Sequence, residues 1–371
     1  MMSTPPAILV LGAYGLAGWA IVARLAARTP YAILAAGRDA AKLRALAEAH
    51  GTDRLRTSVF SAGDSDGLRR LCGEAAFVIN AIGPYPQHGA DIARVVLECG
   101  LPYVDCANEQ SHYRQLELLD GLARERGLPL ITAAGLIPGL STLLIAKLLG
   151  DGDGDSEVDC YYGQRRHAYA ASGLASIMGG VLEAADTTRA PIGGRLMRVR
   201  LGQATCRASM PAPLGDLLMV EAPTIDALAL HARFPGLTYR TWIHLGDLPP
   251  WLLTVIRWLR PHQWAWSYRL IERIARKMND DETARAIAAG AGPEAALKIE
   301  VYRGDTMTDG EFVYTDGASP TACLPVHLAD AWLRGGLRAT GLLTPLDVVA
   351  PDDAVLLAED VTLRFDWGSG G

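Results

Sequence analysis

Ala7-Ile8-Leu9-Val10-Leu11-Gly12-Ala13-Tyr14-Gly15-Leu16-Ala17-Gly18 opens the ordered pattern of this chain and decides its fold. Five consecutive apolar residues ending in glycine read as a fully buried strand, and Leu16 to Leu25 then place apolar residues at helical spacing until Thr29-Pro30 stops them. A strand, a glycine turn and a helix in that order put backbone amides and a helix N-terminus where a pyrophosphate can be held. The spacing is GxxGxxG. Its glycines permit the sharp turn, close approach of a phosphate and tight helix–strand contact. Gly12, Tyr14, Gly15, Leu16, Ala17 and Gly18 are therefore expected to bind a dinucleotide.

The same alternation continues outward. Strands are expected at Ala32–Ala36, Leu55–Phe60, Phe77–Ile82, Tyr103–Cys106 and Leu130–Ala133. Helices are expected at Ala40–His50 (capped by Asp39), Ser65–Cys72, Gly89–Cys99, Ser111–Arg126 and Leu140–Leu149. Six short apolar strands separated by helices predict an α/β Rossmann domain with a parallel, doubly wound sheet, covering residues 1–150. The run Gly150-Asp151-Gly152-Asp153-Gly154-Asp155 cannot continue a helix and reads as a linker. Beyond it, strands at Glu157–Arg165, Arg195–Gln203, Tyr239–Leu245, Ala296–Arg303 and Gly310–Asp316 predict a second, α+β domain with a largely antiparallel sheet, residues 151–320. A helix at Thr321–Leu333 opens a C-terminal segment, 321–371, expected to return to the first domain.

The second strand ends in Ala36-Gly37-Arg38, and Arg38 stands 20 residues beyond Gly18. NAD-specific folds place an acidic residue near this point for the ribose hydroxyls, whereas an arginine suits a 2'-phosphate. Lys42, one helical turn later, adds a second cation. NADP, as NADPH, is the expected cofactor.

Several ordered motifs resemble the saccharopine dehydrogenase-like (saccharopine reductase-like) family. They are Gly12 to Gly18, Gly37-Arg38 with Lys42-Leu43, Asn80-Ala81-Ile82-Gly83-Pro84-Tyr85, Tyr103-Val104-Asp105 with Glu109, and Ala134-Gly135-Leu136-Ile137-Pro138-Gly139. The late Gly341-Leu342-Leu343-Thr344-Pro345 with Val348 looks like the family's C-terminal return segment. The resemblance implies a Rossmann domain with an inserted sheet domain, and oxidoreduction of amino-acid conjugates or unsaturated lipid-like compounds. It adds Asn80, Gly83, Pro84 and Gly135 to the cofactor set, and places Tyr85 and His88 at the nicotinamide edge. Ile137 departs from the acidic residue of the saccharopine reductase branch, which argues against saccharopine itself as substrate.

Parallel sheets carry their sites beyond the carboxyl ends of the strands, so Tyr85, His88, Asp105, Glu109 and Gly135 are expected to converge. Tyr85 and His88 are the candidate proton donors for reduction of a C=N or conjugated C=C bond. Asp105 and Glu109 are candidates for substrate contact, with Asp105 also readable as a structural hydrogen-bond acceptor. Arg165, Arg166, His167 and Tyr169 end the first strand of the second domain, where an arginine would suit a carboxylate. A Tyr-x-x-x-Lys pair of the short-chain dehydrogenase kind is absent from the expected first-domain positions.

Composition bounds the rest. Half of the 371 residues are hydrophobic and 20% are charged, which excludes a disordered chain, and 35 Lys plus Arg against 41 Asp plus Glu leave no excess for nucleic acid. Six cysteines without a CxxC pair or zinc-like cluster predict reduced thiols and no metal, and Met1 to Pro6 without a basic region, before an apolar run too short for a signal segment, leads to the expectation of a cytoplasmic protein. Trp251, Trp258, Trp264 and Trp266 crowd one segment, and 257–277 carries six Arg or Lys against one Glu. A homodimer contact, a lid over a hydrophobic substrate and peripheral membrane contact all fit that stretch. The sequence reading is an NADPH-dependent reductase of a small metabolite, with an NADP-sensing regulatory protein without turnover as the alternative.

Overall fold

The structure, a computed structural model, describes residues 6–151, 155–164, 188–200, 202–244 and 295–368. By their contacts these residues fall into two units. The first lies within Met1–Ala107, His112–Leu140 and Thr321–Ala350, the second within Asn108–Ser111, Ser141–Pro320 and Pro351–Gly371.

The first unit is built on β1 (Ala7–Leu11), β2 (Ala32–Gly37), β3 (Leu55–Val59), β4 (Phe77–Asn80), β5 (Tyr103–Asp105) and β6 (Pro129–Ile131). All pair in parallel, in the spatial order β3-β2-β1-β4-β5-β6. The chain moves outward from β1 to β3 and returns to β4 beside β1, so the topological switch point lies between β1 and β4. β1 is buried at every residue, as its uninterrupted apolar run requires of a strand covered on both faces. Because side chains alternate, Leu9, Leu11, Leu34, Ala36, Val78, Tyr103 and Leu130 all enter one core cluster. That cluster is closed by residues of α3 (Ser65–Cys72), α4 (Tyr85–Glu98), α5 (Gln110–Glu117) and α6 (Asp120–Glu125). α1 (Leu16–Arg28) and α2 (Ala40–His50) connect β1 to β2 and β2 to β3. Asp39 caps α2 as expected, accepting from the amides of Ala41 at 2.9 Å and Lys42 at 3.1 Å.

Strand ends shift by a few residues, and two helices of the first unit depart most from expectation. α4 starts at Tyr85, four residues before Gly89, because Pro86 sits in its first turn, where a missing N–H costs no hydrogen bond. The helix expected over Ser111–Arg126 is two helices, α5 and α6.

In the second unit, α7 (Leu140–Leu149) leads to a seven-stranded sheet. Its strands are β7 (Glu157–Gln164), β10 (Thr205–Met210), β11 (Gly215–Glu221), β12 (Thr238–Ile243), β13 (Ala295–Arg303), β14 (Thr306–Tyr314) and β16 (Thr362–Trp367). The order is β10-β11-β12-β7-β13-β14-β16, antiparallel except for β12 with β7. β8 (Arg189–Ile192) and β9 (Arg195–Arg198) form a separate hairpin, and α8 (Asp226–Arg233) precedes β12.

The segment 321–371 divides between the units, which corrects the expectation that all of it returns to the first. α9 (Cys323–Leu333) packs on α1, β4 and β5, and β15 (Gly341–Leu343) pairs in parallel with β6 as the seventh strand of the first sheet. β16 instead pairs with β14 in the second sheet.

Candidate functional site

The glycine turn occupies the carboxyl end of β1. Gly12 holds φ +76°, and its amide donates to the Ala36 carbonyl at 2.9 Å. A Cβ at Gly12 would stand 2.7 Å from the Ala81 carbonyl oxygen, so glycine is required both by the backbone angle and by the neighbouring loop after β4. A Cβ at Gly18 would run into the Gly12 carbonyl and stand 2.8 Å from the Ala13 Cα, which fixes how closely α1 lies on its strand. Gly15 is different. It is the N-cap of α1 at φ −68°, and a Cβ there would meet only the Gly12 oxygen, at 3.2 Å. Space is open on that side. No side chain caps α1 and no acidic residue stands in its first turn, so the positive end of the helix dipole is left for a ligand. A pyrophosphate fits this cradle, with the amides of Leu16, Ala17 and Gly18 as the donors nearest it, since the Gly15 amide already donates to the Gly12 carbonyl at 2.9 Å.

Beside it lies the end of β2. The Tyr14 ring covers Gly37, where a Cβ would come within 2.5 Å of the ring edge. Lys42 Nζ sits 5.6 Å from the centre of that ring, a cation–π distance that holds the ammonium next to Arg38 in sequence and beside the turn. Arg38 and Lys42 are both exposed, and neither makes an ion pair among the described residues. Two exposed cations at the end of the second strand match the chemistry of a phosphate monoester.

The loops after β4, β5 and β6 are held by one buried network. Asn80 is fully buried; its amide donates to the Tyr103 hydroxyl at 2.9 Å and its oxygen accepts from the Ile82 amide at 3.0 Å. Tyr103 donates in turn to Asp105 at 2.9 Å. Asp105 also accepts from His112 Nε2 at 2.7 Å, Thr132 Oγ1 at 2.6 Å and the Ala107 amide at 3.1 Å. Four donors fill the lone-pair positions of its two oxygens. Burial, with Asp105 alongside, pushes the Tyr103 phenol well above its ordinary range, so Tyr103 remains a donor.

Tyr85, in the first turn of α4, is 7% exposed, donates to the Asn80 carbonyl at 3.2 Å and lies 5.5 Å from the His112 ring. His88, one turn further, is half-buried. The Ala134–Gly139 loop closes on itself. The Gly135 amide donates to the Pro138 carbonyl at 3.0 Å, and the Gly135 carbonyl accepts from the Leu140 amide at 2.9 Å. Ala133, entering that loop, holds φ +61°, a strained angle for a residue with a Cβ.

The structure thus brings Gly12–Gly18, Arg38 and Lys42 to the carboxyl edge around the switch point, with Gly83, Pro84, Tyr85 and His88 following β4 at the same edge. Of the two readings of Asp105, the structure fits the structural acceptor, which ties β5, α5 and β6 together with four donors on its two oxygens. Asn80 shapes the loop after β4 through its side chain. Glu109 is buried in the second unit and accepts from the Asn108 amide at 3.1 Å. Arg165, Arg166, His167, Tyr169 and the segment Trp251–Trp266 lie outside the described residues. His112 and Thr132 were missed from sequence. A single histidine in a polar helix and a single threonine after a strand give no periodic signal, and only the adjacency of β5 and β6 makes them neighbours.

Residues 8–127 match the model of the saccharopine dehydrogenase NADP binding domain. A lipid droplet localized protein of Caenorhabditis elegans is 28% identical over 138 residues, 34% of this chain and 32% of the relative. A probable mitochondrial saccharopine dehydrogenase-like oxidoreductase of Arabidopsis thaliana is 30% identical over 73 residues, 19% of this chain and 16% of that protein. The chain therefore matches about a third or less of the length of these curated relatives. Apo saccharopine dehydrogenase (L-Glu forming) of Saccharomyces cerevisiae is similar in fold, with a TM-score of 0.62 at 15% identity over 98% of this chain and 100% of that one. No helix of the described residues is long and apolar enough to cross a membrane. The fold of the chain is therefore similar to that of this saccharopine dehydrogenase, and residues 8–127 are similar to the saccharopine dehydrogenase NADP binding domain.

Proposed function

We propose that this chain is an NADPH-dependent oxidoreductase that reduces a C=N or conjugated C=C bond of a small metabolite. The carrying observation is the uncapped N-terminus of α1 behind an open Gly15, with Arg38 and Lys42 exposed at the end of β2. The family match of residues 8–127 supports a nicotinamide dinucleotide and oxidoreductase chemistry. On this reading the turn amides hold the pyrophosphate, while Arg38 and Lys42 hold the 2'-phosphate. The bound dinucleotide supplies the hydride. His88 delivers the proton from the first turns of α4, and Tyr85, locked onto the Asn80 carbonyl, fixes where that turn stands. The six cysteines are free thiols, which suits the reducing cytoplasm.

The test is NADPH fluorescence and oxidation with panels of imine and enoyl acceptors. The reading expects binding, and oxidation with members of one panel. Binding with no oxidation across either panel would replace it with a cofactor-sensing role.

A further inference from the structure

Cys72 is the last residue of α3, and Cys99 is the residue that caps the end of α4. α3 leads into the amino end of β4, and α4 runs back from the carboxyl end of β4 to lead into the amino end of β5, so both helices end at the amino edge of the parallel sheet. There α3 packs on α4, and Arg69 of α3 reaches Glu98 of α4 at 3.1 Å, which sets the two last turns side by side. A side-chain hydrogen bond joins the Cys72 and Cys99 thiols across that contact.

The two thiols differ in access. All six cysteines lie among the described residues and Cys99 alone is exposed, whereas Cys72 is 3% exposed and belongs to the core cluster that also holds Val95 and Val96. Burial first, and then the charge of Cys99 alongside, push the Cys72 thiol above its ordinary range, so Cys72 keeps its proton at neutral pH and serves as the donor of the pair. The backbones that carry them are fixed. The Cys99 amide donates to the Val95 carbonyl at 3.0 Å with Cys99 at a helical φ of −75°, and the Cys72 carbonyl accepts from the Ala75 amide at 3.1 Å. An exposed thiol in contact with a buried one, on two anchored helix ends, is the arrangement of an oxidisable cysteine beside its resolving partner.

We propose that Cys72 and Cys99 are a redox modification site, closing to a disulfide when a hydroperoxide reaches Cys99. The Cys99 sulfur, as thiolate, attacks the terminal peroxide oxygen; the O–O bond breaks, Cys99 becomes a sulfenic acid, and the other oxygen leaves as water or an alcohol after taking up a proton. The Cys72 sulfur then attacks the Cys99 sulfur; the S–O bond breaks, and the hydroxyl leaves as water with the Cys72 proton. Two electrons pass from the thiol pair to the peroxide, and a dithiol reductant reverses the bond by exchange. The closed loop, 72–99, contains β4, the turn before Tyr85 and all of α4, and it is tied at the edge of the sheet opposite the glycine turn. Oxidation therefore restricts the unfolded chain and stabilises the fold while the nucleotide cradle stays open.

Mass spectrometry of the full chain, treated with hydrogen peroxide and then alkylated under denaturing conditions, reads the bond. The expected result is loss of two hydrogen atoms, a linked peptide pair that fragments to Cys72 and Cys99, and full reversal by dithiothreitol. The oxidised protein should melt about 4 °C or more above the reduced one. Cys99→Ser, a change at an exposed helix end, should fold as wild type and abolish the link. In Cys72→Ala the resolving thiol is gone, so dimedone should trap sulfenic acid at Cys99 about fivefold or more above its level in wild type. A treated wild type in which Cys72 remains alkylated while Cys99 proceeds to sulfinic acid overturns the inference. So does a link from Cys99 to any other cysteine, or equal dimedone labelling of wild type and Cys72→Ala.

Discussion

His112 Nε2 lies 2.7 Å from Asp105 Oδ2, and neither side chain is exposed to solvent. The pair joins the end of β5 to the start of α5, and through the Tyr85 ring it reaches the first turn of α4. Gly89, on α4, leaves the room that the His112 ring occupies, since a Cβ there would stand 2.9 Å from Nδ1. His112→Leu is expected to destabilise the fold by about 3 kcal/mol, because it leaves a buried carboxylate short of a donor. Urea unfolding measures this; a loss below about 0.5 kcal/mol, the scale of an ordinary surface change, would remove the network from its structural role.

Two glycines of the turn separate binding from folding. Gly15→Val adds atoms on the open side of the cradle, so dinucleotide affinity should fall about 100-fold or more while thermal stability stays near wild type. Gly18→Ala pushes a methyl into the Gly12 carbonyl and should lower stability by about 1–3 kcal/mol. Calorimetry and thermal melts on both variants distinguish the effects, and normal affinity in a folded Gly15→Val protein would move the phosphate site elsewhere.

Proton delivery gives a kinetic prediction. His88→Ala should lower kcat about 100-fold with NADPH affinity unchanged. Tyr85→Phe loses one hydrogen bond to the Asn80 carbonyl, so it should cost about 1 kcal/mol of stability and a smaller part of kcat. Single-turnover hydride transfer reads both, and unchanged rates in His88→Ala would exclude it as the donor.

In the second unit, burial raises the Asp226 carboxyl above its ordinary value of 3.8, against hydrogen bonds from Thr224 and Tyr239 that favour the ionised form. A native value raised in this way contributes stability below the unfolded value, and that contribution is lost as pH rises through the native one. The stability of wild type relative to Asp226→Asn should therefore improve on going from neutral pH toward about pH 4. Paired urea titrations check the sign; a difference that instead favours wild type more at higher pH would contradict it.

The first unit was legible in sequence where local and tertiary demands coincide. β1 is apolar throughout because it is covered on both faces, and Gly12 and Gly18 each answer a distinct backbone need that glycine spacing alone suggests, while Gly15 leaves space open at the helix start. α4 was placed too late because Pro86 reads as a breaker from sequence but serves as a first-turn residue in the fold. β10 and β11 were not foreseen: β10 alternates exposed with half-buried residues and β11 joins it through a short turn, so neither carries the dense apolar run that marks a central strand. β16 follows several short helical turns and takes its place only through pairing with β14. Arg38 and Lys42 were found by position along the chain, whereas Tyr14, which holds Lys42 from below and requires Gly37, acquires that role only when β1 and β2 lie side by side.

The cofactor assignment is tested most directly by calorimetric titration of NADPH and NADH into wild type and Arg38→Ala. The account predicts tighter binding of NADPH by the wild type. In Arg38→Ala it predicts a loss of about 1–3 kcal/mol for NADPH, the scale of a charge-assisted hydrogen bond, with NADH affinity nearly unchanged. Equal losses for both dinucleotides, or failure of the wild type to bind either, would contradict it.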